Sequence, residues 1–322
     1  MEENLPLVSI GLPVFNRPDG LRNSLECLVN QTYKNIEIII ADNCSPDPEV
    51  EKICREYEEK ESRVSYYRHD SNKGWGYNTN FVIEKARGNY FMRATDDDVW
   101  DETFIEKIML LMLKNSKVSM GFSNFIEIDE NDEKSKQHLE NHLPLLQAFA
   151  GKDQIQNIKN YINQFEGFGK SCLYFSIFKI ELLRTEFVKN TLEKEVLAGD
   201  LLINLSCLLR GELVIVPEVL MKVRVGNEKQ YDTHLYKTKI LNLLFMTFDY
   251  EKFRSVRLKW FYYFKIQRKI INNSGLQLMS NLNCNLLITR RMLIFHYDLI
   301  CMNTCTKGFD IFKVLKRKII LE

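Results

Sequence analysis

The sequence predicts an α/β fold with a mainly parallel central sheet, and three observations carry that expectation. Strand-like and helix-like patterns alternate through the first third of the chain, as in parallel sheets joined by crossover helices. The run Ile36 to Ala41, "IEIIIA", is almost continuously apolar, as a strand covered on both faces requires. Polar residues follow the strand ends: Asn16 and Arg17, Asp42 and Asn43, then three consecutive aspartates. Open parallel sheets bind ligands at that edge.

The elements follow in order. Leu7 to Leu12 is a short β-rich run that ends at Pro13. Pro18 and Asp19 suit a helix start, and Leu21, Leu25, Leu28 and Val29 repeat at helical spacing. After the strand at Ile36 comes a charged helix over Asp47 to Glu61, then a third strand at Val64 to Tyr67. A helix near Tyr77 to Ala86 is expected to close on Gly88. Tyr90 to Ala94 is the fourth strand, and Thr95-Asp96-Asp97-Asp98 follows it. Phe104, Ile105, Ile108, Met109 and Met112 mark an amphipathic helix.

The middle is less regular. Val118 to Ile128 reads as a strand and Asp129 to His142 as a polar loop. Ile155, Ile158 and Ile162 define a short helix, and Gly167 to Ile177 reads as a strand. Leu201, Leu202, Leu205, Leu208 and Leu209 form one helical face with Asp200 at its start. Two closing strands are expected at Leu213 to Val216 and Val219 to Val225. Beyond Tyr231 the chain reads as helical, with basic and aromatic residues interleaved.

Composition narrows the function classes. With 322 residues, 45% hydrophobic and 27% charged, the chain is neither collagenous, nor low-complexity, nor a disulfide-dense scaffold. The net charge of +1 hides an asymmetry: residues 231–322 hold 16 Lys+Arg against 6 Asp+Glu, and the remainder holds 28 against 37. An acidic body is joined to a basic C-terminal region. Eight cysteines without a C-x-x-C pair fit reduced thiols in the cytosol. The N-terminus lacks the basic and apolar segments of a signal peptide. No run approaches the length of a spanning helix. His138 and His142 stand at i, i+4, but their polar segment ends in Pro144 and lacks the zinc-protease glutamate. No module that reads nucleic acid is recognisable, so none is expected as a partner.

Several motifs, in order, carry a resemblance. They are Pro13-Val14-Phe15-Asn16, Gln31-Thr32-Tyr33, "EIIIADNCS", and "NKGWGYNTNFVIEKARGNYFMRATDDDVW". Over about the first hundred residues the chain resembles the inverting family 2 glycosyltransferases of bacterial surface-polysaccharide type. The resemblance implies the GT-A (nucleotide-diphospho-sugar transferase) fold over residues 1–230, with a nucleotide-sugar half of about 1–100 and an acceptor half of about 101–230. A helical basic extension, 231–322, would follow.

The resemblance also implies roles. Phe15, after Pro13, would pack on the nucleotide base, and Asp42 would accept a hydrogen bond from its edge. Asn16 and Arg17 would lie near base and phosphates, while Asn72 and Gly74 would shape the donor pocket. For Mg²⁺ or Mn²⁺ two registers stand open. A literal D-x-D gives Asp96 and Asp98. Counting back from Val99-Trp100 puts Thr95 at the usual first aspartate, Asp96 on the ribose side and Asp97 as the metal ligand. Asp200 would be the general base, or a first-turn residue favoured by the helix dipole. Arg224 would face the diphosphate, although Arg224-Val225-Gly226-Asn227 lacks the histidine of many relatives.

The implied reaction moves a sugar from a nucleotide-sugar to an acceptor hydroxyl. UDP-sugars lead as donors, with dTDP- and GDP-sugars also found in the family. The acceptor would be a glycan or lipid-linked glycan in surface polysaccharide, lipopolysaccharide or capsule assembly. A catalytically silent nucleotide-sugar-binding or scaffold protein is the alternative. The closing stripe Phe309, Phe312, Leu315 and Ile319, among Lys313, Lys316, Arg317 and Lys318, suits an anionic membrane surface or helices packed on the body. The expected location is cytoplasmic, on the inner face of the membrane if the stripe binds lipid.

Overall fold

The computed structural model describes residues 5–134, 142–151, 153–164, 170–225 and 250–304. An eight-stranded mixed sheet forms its centre. The first half is β1 (Val8–Val14), α1 (Pro18–Val29), β2 (Ile36–Asp42), α2 (Pro48–Lys60), β3 (Val64–Arg68), α3 (Trp75–Lys85) and β4 (Tyr90–Arg93). Then come β5 (Val99–Trp100), α4 (Phe104–Lys114), β6 (Val118–Ile128), α5 (Leu143–Gln147) and α6 (Gln154–Asn163). A 3-10 turn (Ser171–Phe175) leads into β7 (Ile177–Lys179), α7 (Ile180–Leu183), α8 (Glu186–Glu193), α9 (Gly199–Leu208) and β8 (Glu212–Arg224). Helices α10 (Tyr250–Asn272) and α11 (Leu278–Thr304) complete the described chain.

The strand order is β3-β2-β1-β4-β7-β6-β8-β5. β1 runs parallel to both β2 and β4, and β2 parallel to β3. The chain steps outward from β1 to β3 and then returns to β1's other side as β4. That reversal makes the β1/β4 edge the topological switch point, where such sheets open a ligand crevice. β7 lies antiparallel between β4 and β6, which joins the two halves into one sheet.

Packing explains the alternation. Every residue of β2 is buried, and Ile10, Leu12, Ile38 and Ile40 are fully shielded. Burying each such side chain contributes about 2 kcal/mol. Helix starts are set locally: Asp47 caps α2 by accepting from the Glu49 N–H, with Pro48 behind it. Asp153 caps α6 and Thr185 caps α8 in the same manner.

Some elements differ from expectation. The strand expected over Gly167 to Ile177 is, where described, the 3-10 turn followed by three strand residues. The two closing strands are one, β8, whose register against β6 shifts near Pro217. Proline cannot donate to a ladder, so the strand bulges there instead of ending. Ala86, not Gly88, caps α3. A Cβ on Gly88 would stand 2.5 Å from the Leu7 carbonyl oxygen, so the glycine serves a close backbone approach. Helices α10 and α11 pack against α9 and α6 respectively. Their Tyr263, Phe264, Ile271, Cys284 and Ile288 belong to the main core. The stripe from Phe309 to Ile319 lies outside the described residues.

Candidate active site at the β1/β4 edge

The site is built from the carboxyl ends of the parallel strands. At the end of β1, Pro13 still pairs with Ala41 of β2, and Phe15 emerges with 42% of its surface exposed. Asn16 adopts a left-handed φ of 56°. Its N–H donates to Ser45 Oγ at 2.9 Å, and its Oδ1 accepts from the Asp47 N–H at 3.3 Å. The β1 loop is thereby tied to the β2 loop. Arg17 reaches across to the aspartate run, with Nη1 2.6 Å from Asp97 Oδ2 and 3.5 Å from Asp96 Oδ1.

Asp42 is held from within the protein. It is 0% exposed, and both carboxylate oxygens are engaged inside the protein. Oδ1 accepts from Ser45 N–H and Oγ at 2.8 and 2.5 Å, while Oδ2 accepts from Tyr66 OH at 3.0 Å and Arg68 Nη1 at 2.5 Å. Four donors match the capacity of one carboxylate. Asp42 therefore shapes the loop that would meet a base and offers no oxygen of its own. Asn72 and Gly74 are likewise held from within. Asn43 Nδ2 donates to Asn72 Oδ1 and the Gly74 carbonyl, and its Oδ1 accepts from the Lys73 N–H. Gly74 sits at φ 88°, and a Cβ there would stand 2.5 Å from Glu195 Oε1.

The three aspartates face three ways. Asp96 is buried beneath the β1 loop, where Oδ2 accepts from the Phe15 N–H at 3.4 Å. Burial, then the Asp97 charge, pushes its carboxyl up to about 6. Asp97 is the more open of the pair that meets Arg17. Asp98 turns inward: Oδ1 accepts from the Arg224 N–H at 2.8 Å and Oδ2 from Thr95 Oγ1. Burial, then Asp97, pushes it up to about 7. Both Asp98 oxygens thus accept from the protein itself. A Cβ on Gly20 would stand 2.6 Å from the Asp96 carbonyl oxygen. That close approach brings the positive end of α1 against the run.

Arg224 is engaged by the aspartate loop and the loop after β6. Its Nε donates to the Asp97 carbonyl at 3.0 Å and its Nη1 to the Asp129 carbonyl at 2.6 Å, while Nη2 pairs with Asp132. The side chain clasps the aspartate loop from behind. Asp200 stands in the first turn of α9, after Ala198 at a left-handed φ of 54°. Burial raises its carboxyl above the ordinary value, against the Leu201 N–H and the charges of Arg93 and Lys170, which lower it.

Among the described residues, five non-glycine positions have positive φ: Asn16, Cys44, Asp132, Glu195 and Ala198. All five border these loops, as backbone strain at functional sites commonly does. Sequence reasoning missed Arg93, Ser45 and Arg68, and placed Asn43 at the strand end without a role. The signal for Arg93 was a charge ending an otherwise apolar strand, "YFMR". His142 stacks on Phe125 at 4.1 Å as part of the core, and His138 lies outside the described residues.

Comparison with known proteins agrees with this architecture. The model of Glycosyl transferase family 2 matches residues 9–180. An uncharacterized glycosyltransferase of Methanocaldococcus jannaschii is 27% identical over 244 residues, covering 74% of this chain and 78% of that protein. A Bacillus subtilis protein named for teichuronic acid biosynthesis is 30% identical over 111 residues, 34% of this chain and 44% of its own length. The match therefore spans less than half of that relative. Residues 1–349 of Staphylococcus aureus TarS, solved with UDP-GlcNAc, superpose with a TM-score of 0.60 over 89% of this chain and 73% of that one, at 15% identity. That likeness establishes a common GT-A fold. With the family match covering more than half of its length, the chain belongs to glycosyl transferase family 2 and is a glycosyltransferase.

Proposed function

We propose that the protein transfers a sugar from a nucleotide-sugar, a UDP-sugar first, to an acceptor hydroxyl with inversion at the anomeric carbon. The observation that carries this reading is at the switch point of the sheet. There Asp96 and Asp97 close on a single cation, Arg17 Nη1, with exposed Phe15 on the same loop. An aromatic face for a base, a guanidinium for phosphate and carboxylates for a cation are the parts a nucleotide-diphosphate donor needs.

The pair also fits a metal. Two carboxylate oxygens already share one positive charge, and hard oxygen donors suit Mg²⁺ or Mn²⁺. Among the described residues no set of three His, Cys, Asp or Glu side chains converges. Asp97 would therefore be the main protein ligand, with Asp96 beside it and diphosphate and water completing the shell. A divalent cation held there would supply compensating charge to the departing diphosphate.

In the reaction the acceptor oxygen bonds to the anomeric carbon while the carbon–oxygen bond to the diphosphate breaks. The diphosphate leaves with the electron pair. Asp200 accepts the hydroxyl proton, and a carboxyl raised by burial is better matched to that role near neutral pH. Phe15 would stack on the base, Pro13 and Asn16 would hold its loop, and Arg17 would move to the phosphates. Asp42, Asn72, Gly74 and Arg224 would act by shaping the loops.

The setting we infer is surface-polysaccharide assembly with a glycan or lipid-linked glycan acceptor, supported by the teichuronic acid relative. Among the described residues no helix is long and apolar enough to cross a membrane. A membrane contact through the basic region 231–322, beside the catalytic unit 1–230, would be a peripheral one. The test is a panel of UDP-, dTDP- and GDP-sugars assayed for hydrolysis and transfer with Mg²⁺ or Mn²⁺. The expected result is turnover with a UDP-sugar that falls at least about 100-fold in Asp200→Asn while UDP binding persists. Binding without turnover by the unaltered protein would favour the catalytically silent alternative. Unchanged turnover in Asp200→Asn would remove Asp200 as the base.

A further inference from the structure

Arg93 is not accounted for by the fold or by the donor site. It is the last residue of β4, three positions before the aspartate run. Its neighbours on the strand, Phe91 and Met92, are buried core residues. Its side chain forms no hydrogen bond and no ion pair with any described residue, and Nε is shielded from solvent without an acceptor. An arginine has five N–H donors, and leaving such donors unmet in a buried place is costly. The guanidinium is not loose, however. It stands 5.5 Å from the centre of the Tyr174 ring and 5.6 Å from that of Phe175, so two aromatic side chains hold it in position.

Its surroundings say what it faces. The positive charge acts on both Asp98 and Asp200, yet neither carboxylate comes within ion-pair distance. A held cation therefore lies near enough to act on both the aspartate run and the proposed base, with its hydrogen-bonding capacity unused. Arg17 lies with Asp96 and Asp97, so the diphosphate has a cation of its own. The place next to Asp200 belongs to the acceptor.

We propose that Arg93 is the specificity-determining residue of the acceptor subsite, and that it binds a carboxylate or phosphate on the sugar unit that receives the transfer. The proposal deepens the glycosyltransferase reading above and rests on it. A planar, permanently charged fork between aromatic faces suits a bidentate oxyanion. A neutral hydroxyl would satisfy one or two donors and leave the charge uncompensated. Such a site admits anionic acceptors and disfavours neutral ones, because the neutral ligand leaves the half-buried cation unpaired.

The test uses the full chain with saturating UDP and Mg²⁺ throughout, so that the diphosphate site is filled. Thermal shift and calorimetry are recorded with three probes that differ at one carbon: glucuronate, glucose 6-phosphate and glucose. Glucuronate or glucose 6-phosphate is expected to bind and raise the unfolding temperature, and the stronger of the two identifies carboxylate or phosphate as the group read. Glucose is expected to give no shift. In Arg93→Gln the anion affinity is expected to fall roughly tenfold or more, with UDP binding unchanged. Arg93→Met is expected to fold at least as stably as the unaltered protein, since it removes a half-buried charge that has no partner among the described residues. The proposal is overturned by equal binding of glucose, by no binding of either anion, or by anion binding that survives in Arg93→Gln. Loss of the folded state in both variants would make Arg93 structural and overturn it as well. Failure of UDP itself to bind would count against the donor reading, and is seen before any probe is added.

Discussion

Asp42 and Asn43, on the β2 side of the cleft, use their side-chain oxygens and nitrogen entirely on neighbouring loops. Arg93, on the β4 side toward α9, forms no side-chain hydrogen bond with any described residue, and Asp200 keeps a carboxyl raised by burial. The flank proposed to take the donor is thus finished before a ligand arrives, and its loops are fixed by buried, mutually satisfied groups. The acceptor flank holds charge in reserve. Preorganised loops suit a nucleotide, whose shape is constant, while uncompensated charge suits discrimination among acceptors, where a buried unmet group penalises the wrong one.

The largest expected effect breaks the finished flank. Asp42→Ala removes a buried carboxylate and strands the Arg68 guanidinium, the Tyr66 hydroxyl and the Ser45 N–H. Breaking a buried pair of this kind costs about 3 kcal/mol, and the loop carrying Ser45 and Asn16 is released. Chemical denaturation is expected to show that loss, and UDP affinity is expected to fall with it. A variant as stable as the parent with UDP binding abolished would restore Asp42 as a direct base contact.

The same contrast marks what could be read from the sequence. The parallel strands were legible because burial on both faces leaves an apolar run that few other structures demand, as Ile36 to Ala41 does. The aspartate loop was legible as a motif, but not the direction of each carboxylate, because Asp98 turns inward only when the β8 backbone at Arg224 arrives to donate to it. β7 escaped notice because three residues, Ile177–Lys179, carry no periodicity. It joins the halves only through long-range pairing with β4 and β6. The break expected near Pro217 was a bulge, since β6 continues beside it. Helices α7 and α8 were missed for the same reason as β7: four and eight residues are too few for a helical repeat to stand out.

A smaller effect concerns pH. The carboxyls of Asp96 and Asp98, pushed up to about 6 and about 7 by burial and then by Asp97, lie above an unfolded value of about 3.9. Between those values the folded state holds more protons than the unfolded one. The stability these groups contribute is present at low pH and is lost as pH rises through about 6 and 7. The slope is at most about 1.4 kcal/mol per pH unit for each group. Unfolding measured without ligand is expected to show stability declining from about pH 4 to about pH 7.5, and Asp98→Asn is expected to flatten the upper part of that decline. A flat profile in the unaltered protein would mean that both carboxylates are already compensated, and the aspartate run would then resemble the finished flank.

The smallest effect on stability is expected at Arg17, where the two flanks meet. Its side chain is 60% exposed, so its pairing with Asp97 and Asp96 is worth less than about 1 kcal/mol, and Arg17→Ala is expected to leave the unfolding curve almost unmoved. Ligand binding separates the two roles of the residue. If the guanidinium holds the cation's place in the free protein, its removal leaves the Asp96 and Asp97 oxygens without a competitor. Mn²⁺ alone, followed by calorimetry, is then expected to bind a few-fold more tightly, because a competing pair worth under about 1 kcal/mol has been removed. If the same guanidinium also moves to the donor phosphates, UDP without metal is expected to bind more weakly, since one charge-assisted contact is lost. Opposite signs for metal and nucleotide are the signature of a residue that exchanges partners when the donor enters. Two changes of the same sign would make Arg17 a fixed part of the aspartate loop, as Arg224 is from the other side.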